Sequence, residues 1–493
     1  MNNYKIFLTT VVATSTLLLA GCKKQLNEQV YSQLAPENFL VTEDGIKSVL
    51  YAAYTEEANV QNQKATKGMI LSQEMVTDMM WETAGADNRQ ALQFINFTWD
   101  ASLDWLMTMM WAPMYRAIRD ANSVLDNLDN ANMIDTKKSM YEAEARFVRT
   151  ISYYHLYVLF GPVPLRTTTK SDVLDLARST DDEMKTFFET ELLAVIKNLP
   201  DPGKELEYGR ANKGAAMAFA GKFYLNTKQW QKCADMAKQI MNMNYYQLYP
   251  NYGAMFRVEN ERNKEYMWVR PCVPSAVSGP GNDWCAYVFP VGFQRDPATG
   301  LVYLPNWRNY AAQYRMRDAF FNTFSPSDKR TSLIMTSYIN STGQTLSLLN
   351  NDDTRPLKYW PDPAAIDGGG GNDIPEIRYA DILLSRAEAL NEISGPNTET
   401  ITLINQIRQR AGLTDLNLAD FTSKEALRDH IIKERGWEFY SEGLRREDLI
   451  RTGKFIQYAK ARGVANAKDY HVLFPIPQQA MDSDPTLVQN PGY

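Results

Sequence analysis

The sequence predicts an all-α fold, a scaffold of paired helices interrupted by one large irregular stretch. Three observations carry that expectation. Long segments between residues 37 and 243 repeat apolar side chains at three- and four-residue spacings, the period of a helix with one buried face. Residues 213–243 place Gly221, Tyr224, Trp230 and the pair Cys233-Ala234 near the small, aromatic, aromatic and small positions of a tetratricopeptide unit, two antiparallel helices in about 34 residues. From roughly residue 245 to 375 the helical period is lost: Pro, Gly, Asn and aromatics cluster, and strands look short.

At the start of the chain, Lys5 precedes an apolar run over 6–20 that is too short to span a bilayer comfortably and ends in small residues, the pattern of a secretory signal. Leu19-Ala20-Gly21-Cys22 resembles the lipobox of bacterial lipoproteins, which implies cleavage after Gly21 and acylation of Cys22. Each buried methylene contributes about 0.8 kcal/mol, so two or three acyl chains hold a folded body at a membrane without a spanning helix. Residues 1–21 are therefore expected as signal peptide, 22–36 as a lipid-anchored tether, and 37–493 as a single domain with the insertion inside it.

The first expected helix runs over 37–59, with Asp44 and Gly45 weakening one of its turns. The next, 112–128, aligns Met114, Tyr115, Ile118, Ala121, Val124, Leu125 and Leu128 on one face. A third, 140–160, ends where Gly161-Pro162-Val163-Pro164 removes a donor and disallows helical geometry. In the 213–243 unit, small residues let two helices approach while aromatics fill the space between successive hairpins. A second such pair is expected at 379–395 and 400–411, with Ala387 and Ala389 as its small positions. Between the two units, Asp367-Gly368-Gly369-Gly370-Gly371-Asn372 reads as a flexible loop in a region of the kind where binding functions sit.

With 493 residues, 44% hydrophobic and 22% charged, the chain can bury a large core. Its net charge of -6, with no Lys/Arg-rich tract outside Cys22-Lys23-Lys24, argues against nucleic acid as a partner. His155, His430 and His471 are the only histidines and stand far apart, which leaves little material for a His-based metal site or a Ser-His-Asp arrangement. No metal and no cofactor is expected. Cys272 and Cys285 flank a Pro/Gly-rich loop and could close it as a disulfide, whereas Cys233 lies in a helical pattern and packs as a small hydrophobe.

Residues 434–453 concentrate charge with strict spacing: Glu434, Glu438 and Glu442 lie one turn apart on one helical face, with Arg435, Arg445 and Asp448 within reach. Paired acids about 5 to 10 Å apart would suit a glycosidase. Acids alternating with Arg on a helix face read instead as an ion-pair network that fixes the helix to its neighbours, and the chain is not expected to be an enzyme.

At these residues the chain strongly resembles the SusD/RagB family of surface lipoproteins. The matching blocks are Arg378-Tyr379-Ala380-Asp381-Ile382-Leu383-Leu384-Ser385-Arg386-Ala387-Glu388-Ala389, then Ile404-Asn405-Gln406-Ile407-Arg408-Gln409-Arg410-Ala411-Gly412-Leu413, then 434–453. Leu473-Phe474-Pro475-Ile476-Pro477 and Gln489-Asn490-Pro491-Gly492-Tyr493 resemble the family's tail, and 145–165 its long N-terminal helix and stop. The resemblance implies four tetratricopeptide-like helix pairs and an outward-facing anchor in the outer membrane. It also implies a partner, a SusC-like TonB-dependent barrel transporter, over which such a protein sits as a hinged lid that captures nutrient, usually glycan. In this family the repeats are scaffold and transporter-facing surface, and ligand contacts come from the irregular regions.

A sugar ring presents an apolar C–H face and a hydroxyl rim, so its receptor needs flat aromatics beside Asn, Asp, Gln or Arg. Two regions supply them: Asp78-Met79-Met80-Trp81 with the following Gly85-Ala86-Asp87-Asn88-Arg89-Gln90, and, in the insertion, Asn282-Asp283-Trp284 with Asn306-Trp307-Arg308-Asn309-Tyr310. Asp78, Trp81, Asn88, Arg89, Trp284 and Trp307 are the expected ligand contacts, whereas Trp99, Trp105 and Trp111 are expected to pack among helices. The leading reading is capture of an oligosaccharide without chemical conversion. Peptide or other nutrient capture, a surface hydrolase and a non-binding scaffold of a surface complex are the alternatives.

Overall fold

Helix α1, Glu43–Gln61, starts later than its apolar period suggests because Thr42 caps it: the Thr42 hydroxyl accepts from the Gly45 N–H at 3.0 Å, and Glu43 and Asp44 sit in the first turn. Both devices satisfy or complement the free N–H groups of a helix N-terminus. The computed structural model describes residues 39–61, 71–83, 85, 87–276, 279–310 and 312–493. The expected signal peptide, Cys22 and tether lie outside the described residues.

After α2, Asn88–Asn96, come α3, Ala112–Asn127, and α4, Asp135–Phe160, which stops at Gly161 with φ of 73° before Pro162. Helix α5, Asp181–Asn198, begins with a capping box between Thr180 and Glu183. Helices α6, Lys213–Asn226, and α7, Trp230–Asn242, form the expected hairpin, and α8, Tyr379–Ser394, and α9, Thr398–Arg410, form the second. Packing runs α1 on α3, α3 on α4, α4 on α5, and so on through α7 on α8 and α8 on α9, which makes four stacked pairs. Helix α6 is buried almost all round because α5, α7 and α8 enclose it, so its apolar residues show no single face. Trp99, Trp105 and Trp111 are buried in this core.

Between α7 and α8 lie nearly all the strands. β1, Met80–Glu82, precedes them and pairs with β4, Tyr314–Met316; β2, Tyr266–Arg270, pairs with β9, Ile374–Arg378. β3, Phe293–Arg295, joins β6, Ser337–Asn340, which joins β7, Thr345–Ser347; β5, Ile334–Met335, pairs with β8, Arg355–Pro356. All pairings are antiparallel. The glycine run is not a free loop. Gly369 and Gly370 are buried and bridge to Ser275 and Asn282, with Gly370 and Asn282 exchanging backbone hydrogen bonds at 2.8 Å. A Cβ on Gly369 would stand 2.2 Å from the Ser275 carbonyl oxygen, so this glycine serves close backbone approach. The same pairing closes the loop that a Cys272–Cys285 bridge would have closed. Cys272 and Cys285 are not joined to each other, and Cys285 donates to the Tyr359 carbonyl at 2.8 Å instead. Cys233 is buried, as its helical context implied.

Helices α10, Lys424–Phe439, and α11, Arg445–Arg451, carry most of the charged block, and it forms an ion-pair network; α10 ends before Glu442, so that acid joins from the following turn and not from the helical face shared by Glu434 and Glu438. Glu438 accepts from Arg378 at 3.0 Å and Arg410 at 2.5 Å; Glu434 accepts from Arg330 at 2.6 Å and Arg408 at 3.1 Å; Arg378 reaches Glu442 at 2.7 Å. Burial works to raise Glu434 and Glu438, but the surrounding guanidinium groups outweigh it and hold each carboxyl down at about 2. Both folded values lie below the ordinary 4.5, so this stabilisation is complete above that pH and is lost as pH falls toward 2. The unfolding temperature, followed by circular dichroism, is therefore expected to fall through that acid window. Glu438→Gln, which leaves buried guanidinium groups short of a partner, is expected to cost about 3–5 kcal/mol in urea denaturation at neutral pH.

Candidate functional site

The residue that stands out is Trp81. In β1 the burial alternates, with Met80 and Glu82 inward and Trp81 outward, as a strand's two-residue period requires. β4 alternates in the same way, so the cross-strand neighbour of Trp81 is Arg315. The indole is partly exposed, and its Nε1–H donates to the Asp352 carbonyl oxygen at 2.7 Å. That bond pins the ring edge. The guanidinium carbons of Arg315 and Arg317 lie 5.6 and 6.0 Å from the ring centroid, so the platform is flanked by cations. The strand pair thus ties the first of the two expected segments to the insertion, a few residues beyond Asn306–Tyr310 of the second.

Asp78 lies just before β1, but its carboxylate is taken up by Arg445, whose Nε and Nη2 donate to it at 2.9 and 2.7 Å. Burial works to raise this group, yet Arg445 prevails and holds it below the usual carboxylate range. Asp78 therefore anchors the Trp81 segment to α11. Asn88 and Arg89 form the first turn of α2, which packs on β1; Arg89 is exposed, and the buried Oδ1 of Asn88 has no hydrogen-bond partner among the described residues. A row of rings runs inward from this face, with Tyr314 stacked on Tyr287 at 4.9 Å and Tyr287 packed on the half-buried Tyr310 at 5.2 Å.

Two expected contacts are corrected. Trp284 is 1% exposed, packs on Tyr314 and Tyr359, and donates its Nε1–H to the Pro356 carbonyl oxygen at 2.7 Å. Trp307 is 6% exposed, stacks on Phe289 at 5.3 Å and donates to the Asp362 carbonyl oxygen at 2.7 Å. The cavity beside Trp307 holds about 20 Å³, room for one water and not for a sugar. Both indoles are core. Arg315, Arg317 and Asp352 had not been singled out. The alternation Tyr314-Arg315-Met316-Arg317, apolar in and basic out, is the signal that could have found the two arginines.

One cluster of metal-ligating types occurs among the described residues: Glu57, His155 and Glu376, with ligand atoms within 4.8 Å of one another. The chain brings His155 to two acids that are remote in sequence, which spacing could not show. Arg270 pairs with both carboxylates and already holds the cationic position of the cluster. A larger cleft, about 510 Å³, opens between α1 and β2 and is lined by Tyr51, Tyr54, Tyr208 and Trp268. Trp268 there is tied to the Gly209 carbonyl oxygen at 3.0 Å and is 3% exposed.

The architecture is thus a tetratricopeptide-like scaffold whose insertion is strapped to an N-terminal aromatic segment. A family model described as the SusD family matches residues 228–493, and a second, described as starch-binding associating with outer membrane, matches residues 24–225. The chain belongs to the SusD family. A SusD-like protein of Formosa agariphila is 25% identical over 526 residues, which cover 96% of this chain and 97% of that one. The starch-binding protein SusD of Bacteroides thetaiotaomicron is 24% identical, over 85% of this chain and 84% of that one. A solved laminarin binding SusD-like protein superposes with a TM-score of 0.78 at 22% identity, covering 92% of this chain and 100% of that one.

Truncating a core indole and truncating a surface one have different consequences. Trp284→Ala and Trp307→Ala are each expected to lose about 3–5 kcal/mol of stability in urea denaturation. Trp81→Ala, whose ring is partly exposed, is expected to lose much less in the same measurement.

Proposed function

We propose that this protein is a cell-surface lipoprotein that captures an oligosaccharide on the Trp81 face and delivers it to a SusC-like TonB-dependent barrel transporter in the outer membrane. The observation that carries the reading is the Trp81 platform: a partly exposed indole, pinned at its edge by Asp352 and bordered by Arg315 and Arg317, with α2 packed on the same strand. An aromatic face beside hydrogen-bonding side chains is what a sugar's apolar face and hydroxyl rim require. Relatives named for starch and laminarin binding favour glycan over peptide.

The anchor in this reading is Cys22, acylated after removal of residues 1–21, and 22–36 is the tether from which the body at 37–493 swings. Binding proceeds without turnover. Glu434, Glu438 and Glu442, the acids whose spacing suggests a hydrolase, are buried against arginines and a lysine and have no approach for a glycosidic bond.

Isothermal titration against a panel of oligosaccharides tests the site. Trp81→Ala is expected to weaken binding by about tenfold or more, a loss of about 1.4 kcal/mol, while the protein stays folded with only a small drop in unfolding temperature. Affinity that survives Trp81→Ala but falls with Tyr208→Ala would place the ligand in the 510 Å³ cleft instead. Intact-mass measurement of membrane-extracted protein is expected to show a chain beginning at an acylated Cys22, and the native protein is expected to co-purify with a barrel transporter. A full-length, unacylated chain would remove the anchor from the proposal.

A further inference from the structure

After α7 the chain runs past the second hairpin, and residues 246–250 line one side of a cavity there, about 510 Å³ in volume. α9 supplies another part of the lining with Gln406, Gln409 and Arg410, which share one helical face at i, i+3 and i+4. Tyr379, the first residue of α8, completes it. The cavity shares no lining residue with the cleft between α1 and β2, and none with the Trp81 platform.

A single residue sets two of its rings in place. The Glu265 carbonyl oxygen accepts from the Tyr379 N–H at 2.8 Å, and the Glu265 carboxylate accepts from the Tyr249 N–H at 2.6 Å. Both tyrosines are half-buried, and the buried Tyr246 stacks on Tyr379 at 6.3 Å, which backs that ring from inside. Arg410 is paired with Glu265 at 2.8 Å and with Glu438 at 2.5 Å, so it brings no unpaired charge. The hydrogen-bonding groups around the rings are largely unused. The hydroxyls of Tyr249 and Tyr379 and the side-chain amides of Gln247 and Gln406 have no hydrogen-bond partner among the described residues, and Gln409 spends only its amide nitrogen, on Asp415 at 3.0 and 3.1 Å.

We propose that this cavity is a second carbohydrate site, which takes a neutral sugar residue independently of Trp81. Pinned rings beside uncommitted amides and hydroxyls, over a floor whose charges are already paired, complement a sugar's C–H face and hydroxyl rim and offer nothing to an ionic group. The volume falls within the roughly 300–1,000 Å³ of small-molecule sites. For its class of ligand the site rests on the glycan-capture reading above. A polysaccharide long enough to touch both sites gains affinity from the second contact by effective concentration, whereas a short oligosaccharide does not.

The test is isothermal titration of the full mature chain in detergent with maltotriose, laminaritriose, cellotriose and xylotriose, repeated on Trp81→Ala, Tyr379→Ala and Gln406→Trp. Gln406 is exposed on α9, so a tryptophan there fills the cavity without entering the core, and unfolding temperatures establish that each variant is folded. At least one trisaccharide is expected to bind at two sites per chain. Trp81→Ala is expected to leave one of them, and Tyr379→Ala or Gln406→Trp added to it to weaken the remaining site by about tenfold or more. A single site that Trp81→Ala abolishes and neither cavity substitution weakens overturns this inference and leaves glycan capture at Trp81 standing. A second site that survives both cavity substitutions overturns it too. Binding that depends on Tyr379 and Gln406 but not on Trp81 upholds the cavity and removes the Trp81 platform. No binding of any trisaccharide, with none of a longer oligosaccharide in the panel above, overturns both.

Discussion

The structure depends on a lattice of buried guanidinium and carboxylate groups centred on Glu438 and Arg378. Glu434 and Glu438 on α10, and Glu442 in the turn that follows it, hold residues that are far apart in sequence: Arg330 and Lys358 from the insertion, Arg378 at its end, and Arg408 and Arg410 from α9. Glu265, just ahead of β2, closes the lattice against Arg378 and Arg410 at 2.5 and 2.8 Å. Such pairs do not by themselves stabilise a fold more than well-packed apolar residues would, but a missing partner leaves a buried charge exposed to its full desolvation cost. The lattice therefore permits one seating of the insertion on the helices and penalises the others.

The lattice reaches the Trp81 platform. The Gly443 N–H donates to Glu74 at 2.8 Å, and Arg445 grips Asp78, so the segment that leads into β1 is held by the turn and helix that follow α10. Trp81 is then fixed from three sides: by its own strand partner β4, by the Asp352 carbonyl and by the Asp78 anchor. A binding face whose parts come from residues near 80, 315, 352 and 445 needs that rigidity to present its ring and cations in one arrangement.

The helical scaffold was legible because its information is local. The three- and four-residue spacing of apolar side chains located α3, α4 and both hairpins, and Gly161-Pro162 marked the end of α4. The start of α1 was missed because a single capping hydroxyl, Thr42, outweighs the apolar pattern before it. The binding face was only half legible. Trp81 stood out, but a Trp among Asn, Asp and Pro reads alike whether it faces solvent or core, and Trp284 and Trp307 are decided by carbonyls and rings contributed from elsewhere in the insertion. The pairing of β1 with β4 spans more than two hundred residues, and no local pattern encodes it. The glycine run was misjudged for a related reason: sequence shows that glycine permits freedom, but not that Ser275 lies against it.

One feature of the insertion bears on which parts of the chain can change length. The chain enters the insertion's core along β2 and leaves it along β9, and these two strands are hydrogen-bonded neighbours, with β9 running straight into α8. Entry and exit thus meet at a single doorway, and the insertion is fastened to the frame again inside it, through β4 on β1 and through Arg330 and Lys358 on the acids of α10 and the turn after it. A change of length in a loop between those fastenings leaves both the doorway and the stacked helices where they are.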